Sequence, residues 1–244
     1  MKVAVLISGS PRFNEEFDTF INGLQGCSQV DWFIQLWKDN PRPDKLGYED
    51  LVLVADSWRH VDQQWAETRI VENLPTAHKL VKLTLTDPSS IVYPTITGPQ
   101  VHHSNFESIC KMHLGWNIVD QLRQEHSEEY DLVIRARPDL CLPGPLNLPQ
   151  IRSIINQHPN TVVVSNGGQH GYQYFINDLI AITSPKNMSI YTDLVNHVKE
   201  YNDRQVVFHP ENLLACHLIT NGLKIMPLVR AEIRQGTINF GRWG

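Results

Sequence analysis

Chemistry in this sequence concentrates where an apolar run meets charge. Residues 130–140 read YDLVIRARPDL, so Arg135, Arg137 and Asp139 follow directly on Leu132, Val133 and Ile134. A charge in a buried strand is costly unless it is paired or used. Period-two alternation turns Arg135 and Arg137 to one side for as long as the strand lasts. Two guanidinium groups there make an anion site. A carboxylate beside them suits a divalent cation that bridges a diphosphate, because Mg²⁺ or Mn²⁺ needs only one or two protein carboxylates when phosphates fill other positions. The plainer alternative is an Arg–Asp pair that closes a loop.

A second candidate is Ser8-Gly9-Ser10-Pro11-Arg12, which follows the apolar run Val3 to Ile7. Small residues let backbone N–H groups approach an anion, and Arg12 offers a bidentate contact. The segment is neither a Walker loop nor G-x-G-x-x-G, and an ordinary strand-to-helix turn would use the same residues. The third set is Asn177-Asp178 with His209-Pro210-Glu211. Asp178 or Glu211 has the chemistry of a general base for an acceptor hydroxyl. Their alternatives are a turn or cap role for Asp178 and a helix-dipole role for Glu211.

Other chemistries find little support. The eleven histidines include the adjacent pair His102-His103, and His209 and His217 eight residues apart, but no H-E-x-x-H. A zinc site built on them is not expected. Ser-His-Asp catalysis lacks its G-x-S-x-G elbow. The four cysteines, Cys27, Cys110, Cys141 and Cys216, form no C-x-x-C pair and read as reduced thiols. Trp32, Trp37, Trp58 and Trp65 cluster in the first third, where core packing is the first expectation.

The elements that must position these residues alternate between strand and helix. Val3 to Ile7 reads as a strand, residues 13–25 as a helix and Val30 to Leu36 as a strand. Residues 38–50 read as a loop, 62–73 as a helix and 79–85 as a strand. Residues 104–126 form the strongest helix pattern, with Ser104 and Glu107 at capping-box spacing. Strands follow at 130–136, 161–165, 175–182 and 223–229. Helices are expected near 186–200 and at 210–221, where Pro210 and Glu211 suit a helix start. A Gly-rich loop covers 166–171. The alternation predicts an α/β sheet of mostly parallel order in one domain spanning 1–244. Ligands on such sheets bind at the carboxyl ends of strands.

Composition sets the outer bounds. The chain has 244 residues, 41% of them hydrophobic and 19% charged, and a net charge of −5. A whole-surface basic footprint for nucleic acid is absent. No apolar run approaches the roughly 20 residues of a membrane span. MKVAVLISGSPR reads as a first strand rather than a signal peptide. A cytoplasmic globular protein is expected, in the host cytoplasm if a virus encodes it.

Taken in order, MKVAVLISGSPR, VDWFIQLW, YDLVIRARPDL, FINDLIAITSPKNMSIYTDL and HPENLLACHL resemble the GT-A-like glycosyltransferases of bacterial surface-polysaccharide loci and large phages. The most specific piece is YDLVIRARPDL, which resembles that family's Y-D-x-V-I-R-x-R-x-D-L. The resemblance implies a GT-A-like single domain with a Rossmann-like, mostly parallel central sheet flanked by helices. It implies a nucleotide-diphosphate sugar donor, most often a uridine one, with Mn²⁺ or Mg²⁺. It puts Ser8, Gly9 and Arg12 near the nucleotide and Asp139 at the last aspartate of a D-x-D motif. Arg137 stands where that motif has its first aspartate. Asp178 resembles the acceptor-side acid, and Glu211 falls in the family's P-E-x-L-L segment.

The expected reaction is glycosyl transfer to an acceptor hydroxyl. The departing diphosphate would be stabilised by Arg135, Arg137 or Lys111 and by a cation on Asp139. Asp178 is the first choice of base and Glu211 the second. A nucleotide-sugar hydrolase or phosphotransferase, and a non-catalytic nucleotide- or glycan-binding module, are the rival readings.

Overall fold

A computed structural model describes residues 1–9, 17–24, 26–38, 63–93, 95, 97, 106–138, 140–166, 176–230 and 232–233. The first strand, β1 (Lys2–Gly9), is apolar from Val3 to Ile7, and all five side chains are fully buried. Only a strand covered on both faces can be so uniformly apolar. Helix α1 (Phe17–Gly23) leads to β2 (Gln29–Trp37), and α2 (Gln63–Asn73) to β3 (His78–Thr86). Helix α3 (Phe106–Gln124) precedes β4 (Leu132–Ala136) and the short β5 (Leu140–Cys141). Then come α4 (Leu148–Gln157), β6 (Thr161–Asn166), β7 (Asn177–Thr183), α5 (Pro185–Thr192), α6 (Leu194–Asp203), α7 (Pro210–Thr220), β8 (Lys224–Arg230) and β9 (Glu232–Ile233).

The protein is α/β, with a seven-stranded sheet in the order β3-β2-β1-β4-β7-β6-β8. Strands β1, β2, β3 and β4 run parallel, as do β6 and β8, while β7 runs antiparallel to both β4 and β6. Strands β5 and β9 pair separately. Alternation sorts β1 cleanly. Val3, Val5 and Ile7 join the buried cluster that includes Phe20, Leu24, Leu148 and Ile151. Ala4 and Leu6 join the other, which includes Trp116, Val119, Leu213 and Leu214, and α3 packs on β1. Each such aliphatic side chain contributes about 1.5–3 kcal/mol when fully buried. Trp32 and Trp37 belong to this interior. Among the described residues no helix is long and apolar enough to cross a membrane.

The sequence pattern and the structure part at three places. Strand β7 is antiparallel to β6, and the shortness of the connection between them accounts for it. The connection is about ten residues, and a parallel return needs a crossover of roughly a dozen or more. The expected helix near 186–200 is two helices that meet at Asp193. The Asp193 N–H donates to Ile190 O at 3.2 Å, and its carboxylate accepts from Asn196 at 2.6 Å, which breaks the regular ladder. Helix α4 carries no expectation from the sequence reading, although Asn147 caps it onto the Gln150 N–H and Leu148, Ile151 and Ile155 form its buried stripe. Ser104, Trp58, residues 38–50 beyond Lys38 and the Gly-rich loop beyond Asn166 lie outside the described residues.

Candidate functional site

The chain leaves β1 outward through β2 and β3, then returns to the other side of β1 as β4. The carboxyl ends of β1 and β4 therefore flank a reversal of strand order, where open α/β sheets leave a crevice for ligands. Three other elements share that end of the sheet. Strand β7 starts there, since Ala136 pairs with Ile180 antiparallel. Strand β6 finishes there, with Ser165 opposite Asn177. Helix α7 starts there, because it feeds β8, which runs parallel to β6. The topology thus brings Ser8, Gly9, Arg137, Asn177, Asp178 and Glu211 to one end. Lys111 lies in the first half of α3, which begins at the same end. Arg12 and Asp139 lie outside the described residues.

Gly9 has φ +143°, and a Cβ there would meet Pro138 Cδ at 3.4 Å. The position favours glycine on conformation, since a Cβ would make only ordinary contact with Pro138. Arg137 is half-buried, and its backbone N–H donates to Leu179 O at 3.3 Å, which ties the end of β4 to β7. The Leu179 N–H donates to Asn177 Oδ1 at 3.0 Å, so Asn177 acts as a turn residue at the start of β7. Asp178 is 8% exposed. Glu211 Oε2 lies 3.0 Å from His209 Nδ1 in the first turn of α7.

Arg135 differs from its sequence-based assignment as a ligand contact. It has no exposed surface. Its guanidinium carbon lies 4.0 Å from the ring centre of Trp116, and Nη1 donates to the backbone carbonyl of Asp178. His113 meets the same indole edge-on at 4.5 Å, and Tyr191 lies 5.2 Å from it. Burial, and then the Arg135 and His217 charges, hold His113 down at about 3. It is a neutral imidazole at pH 7. Burial also raises the Tyr191 phenol above its ordinary range.

The layer between α3 and the ends of β1 and β2 is polar and incompletely hydrogen-bonded. Ser8 Oγ, both amide atoms of Gln35, both ring nitrogens of His113 and Trp116 Nε1 are buried there without a hydrogen-bond partner, as is Ser165 Oγ on β6. A Cβ on Gly115 would lie 2.7 Å from Gln35 Oε1 and 3.3 Å from Ser8 Cβ, so α3 crosses the strands at backbone distance. Apart from Ser8, these residues carried no functional signal in the sequence, where His113 and Trp116 read only as members of an apolar helix face. Among the described residues no group of three or more His, Cys, Asp or Glu side chains could hold a metal ion. Comparison with protein-family models and with curated proteins returns no match.

Proposed function

We propose that this protein is a glycosyltransferase that moves a sugar from a nucleotide-diphosphate donor, a uridine one first, to an acceptor hydroxyl. The observation that carries the proposal is the juxtaposition at the β1–β4 reversal. The positive-φ Gly9 at the end of β1 and the Arg137 end of β4 lie at the same sheet end as Asp178, which arrives on β7. The likeness of YDLVIRARPDL to GT-A-like enzymes gives that juxtaposition its chemical meaning.

In this mechanism Ser8, Gly9 and Arg12 hold the nucleotide. Arg137 and Lys111 face the diphosphate. The acceptor oxygen attacks the anomeric carbon as the bond from that carbon to the diphosphate oxygen breaks. The electron pair leaves on the diphosphate, where cationic side chains stabilise it. With inversion, Asp178 takes the acceptor proton; Glu211, already close to His209, is the second choice. With retention, no base is needed in that position. Arg135 is left out of the donor contacts because it is fully covered. Asp139 would hold Mn²⁺ or Mg²⁺ together with the donor's phosphates, as a Lewis acid.

The test is incubation with a panel of nucleotide sugars and Mn²⁺. Slow release of nucleoside diphosphate is expected without acceptor. Release of sugar phosphate points instead to a hydrolase. The absence of a thermal shift with every nucleotide overturns the donor site. Asp178→Asn should keep donor affinity and lower transfer by about 100-fold or more, in the range of general-base removal.

A further inference from the structure

We infer that Arg135 is a positioning residue that fixes the backbone at Asp178 from inside the protein. The β6–β7 ladder is irregular at this point. Val164 pairs with Ala181, but Ser165 pairs with Asn177, so the register skips residues 178–180. A buried carbonyl inside such a skip loses its ladder donor and needs another. Arg135 supplies it, because Nη1 donates to Asp178 O. The guanidinium carbon itself lies over the Trp116 ring, 4.0 Å from its centre, and Tyr191 packs on that indole at 5.2 Å. A planar fork stacked on an aromatic face has few ways to reorient, whereas a lysine ammonium has no plane to stack and is more strongly hydrated. The device reaches from α3 through β4 to the first turn of β7 and sets where the Asp178 carboxylate leaves the strand. Its consequence for turnover rests on the glycosyl-transfer reading; the anchoring itself does not.

Arg135→Lys separates the two, since it keeps charge and loses the fork. Hydrogen exchange on the whole protein should quicken at backbone amides 176–180 by about tenfold or more, with residues 3–7 of β1 unchanged. In turnover, kcat should fall by about tenfold or more while the donor KM stays within about threefold. Trp116→Phe, which weakens the stack, should move exchange in the same direction by a smaller factor. Unchanged exchange at 176–180 in Arg135→Lys overturns the anchoring. A donor KM raised tenfold at constant kcat also overturns the proposal, because it makes Arg135 a ligand contact. If Arg135→Lys does not fold, Trp116→Phe decides by the same exchange measurement, and no change there overturns the inference. If the wild-type protein neither binds nor turns over any nucleotide sugar, glycosyl transfer fails as the function, while the exchange result still judges the anchoring.

Discussion

The two ends of the sheet treat buried polar groups in opposite ways. Near the amino end, Asp31 is 1% exposed and accepts from Tyr130 Oη at 2.9 Å and from Gln29 Nε2 at 3.0 Å. Asp131 accepts from the Lys2 N–H at 2.8 Å and from Arg152. On the lower part of α3, Asp120 accepts from Arg123 Nε at 2.7 Å, Gln124 Nε2 at 2.7 Å and Thr192 Oγ1 at 3.2 Å. At the carboxyl end, Ser8, Gln35, His113, Trp116 and Ser165 keep buried polar atoms without partners. Thr161 Oγ1, at the start of β6, is an exception at the amino end. Unsatisfied buried groups cost stability, and proteins tolerate them chiefly where function asks for them. The contrast teaches that the amino end is built to hold the fold and the carboxyl end to do something else.

That contrast makes graded predictions. The largest effect belongs to Asp120→Ala, which strands the 7%-exposed Arg123 without its carboxylate. Chemical denaturation should show a loss of about 3–5 kcal/mol. Tyr130→Phe removes a hydrogen bond to the buried Asp31 and should cost about 1–3 kcal/mol by the same measurement. At the carboxyl end, His113→Phe removes ring nitrogens that have no partner, and at pH 7 it should hold stability within about 1 kcal/mol. Its effect appears in acid. The folded pKa of His113 lies below the unfolded one, so the unfolded chain binds the extra proton between pH 6.5 and about 3. Stability from this group is complete above pH 6.5 and falls by up to about 1.4 kcal/mol per pH unit on acidification. Melting from pH 7 to pH 4 should therefore be flatter in His113→Phe than in wild type. The smallest effect is Ser8→Ala, expected within about 0.5 kcal/mol of wild type. A loss above about 1 kcal/mol there would mean a partnered hydroxyl and would break the contrast.

The fold was legible where side-chain periodicity is local. The Val3–Ile7 run, the Leu132–Ile134 run and the apolar face of α3 each state their own structure. Strand direction is not local. Nothing in NDLIAIT distinguishes an antiparallel β7 from a parallel one; the short span from Asn166 to Asn177 does. Helix α4 carried no expectation; its start combines the cap Asn147 with the first-turn Pro149, two residue types that also mark turns. In the candidate site, alternation applies only while the strand lasts, and β4 ends at Ala136, so it covers Arg135 and stops short of Arg137. Arg135 is claimed by Trp116, a residue from another element, whereas Arg137 sits past the last rung of β4. Sequence spacing reports which side a charge takes, and only packing reports whether it reaches solvent.

The antiparallel course of β7 also bears on how this scaffold can vary. The chain leaves the sheet after Asn166 and re-enters it at Asn177 at the same end, beside Gly9 and Arg137. A crossover would have spent that connection on the helical layer. Here it both starts and finishes at the rim of the candidate site. A change in the length of that connection therefore starts and finishes beside the β1–β4 end and leaves the order of the strands as it is.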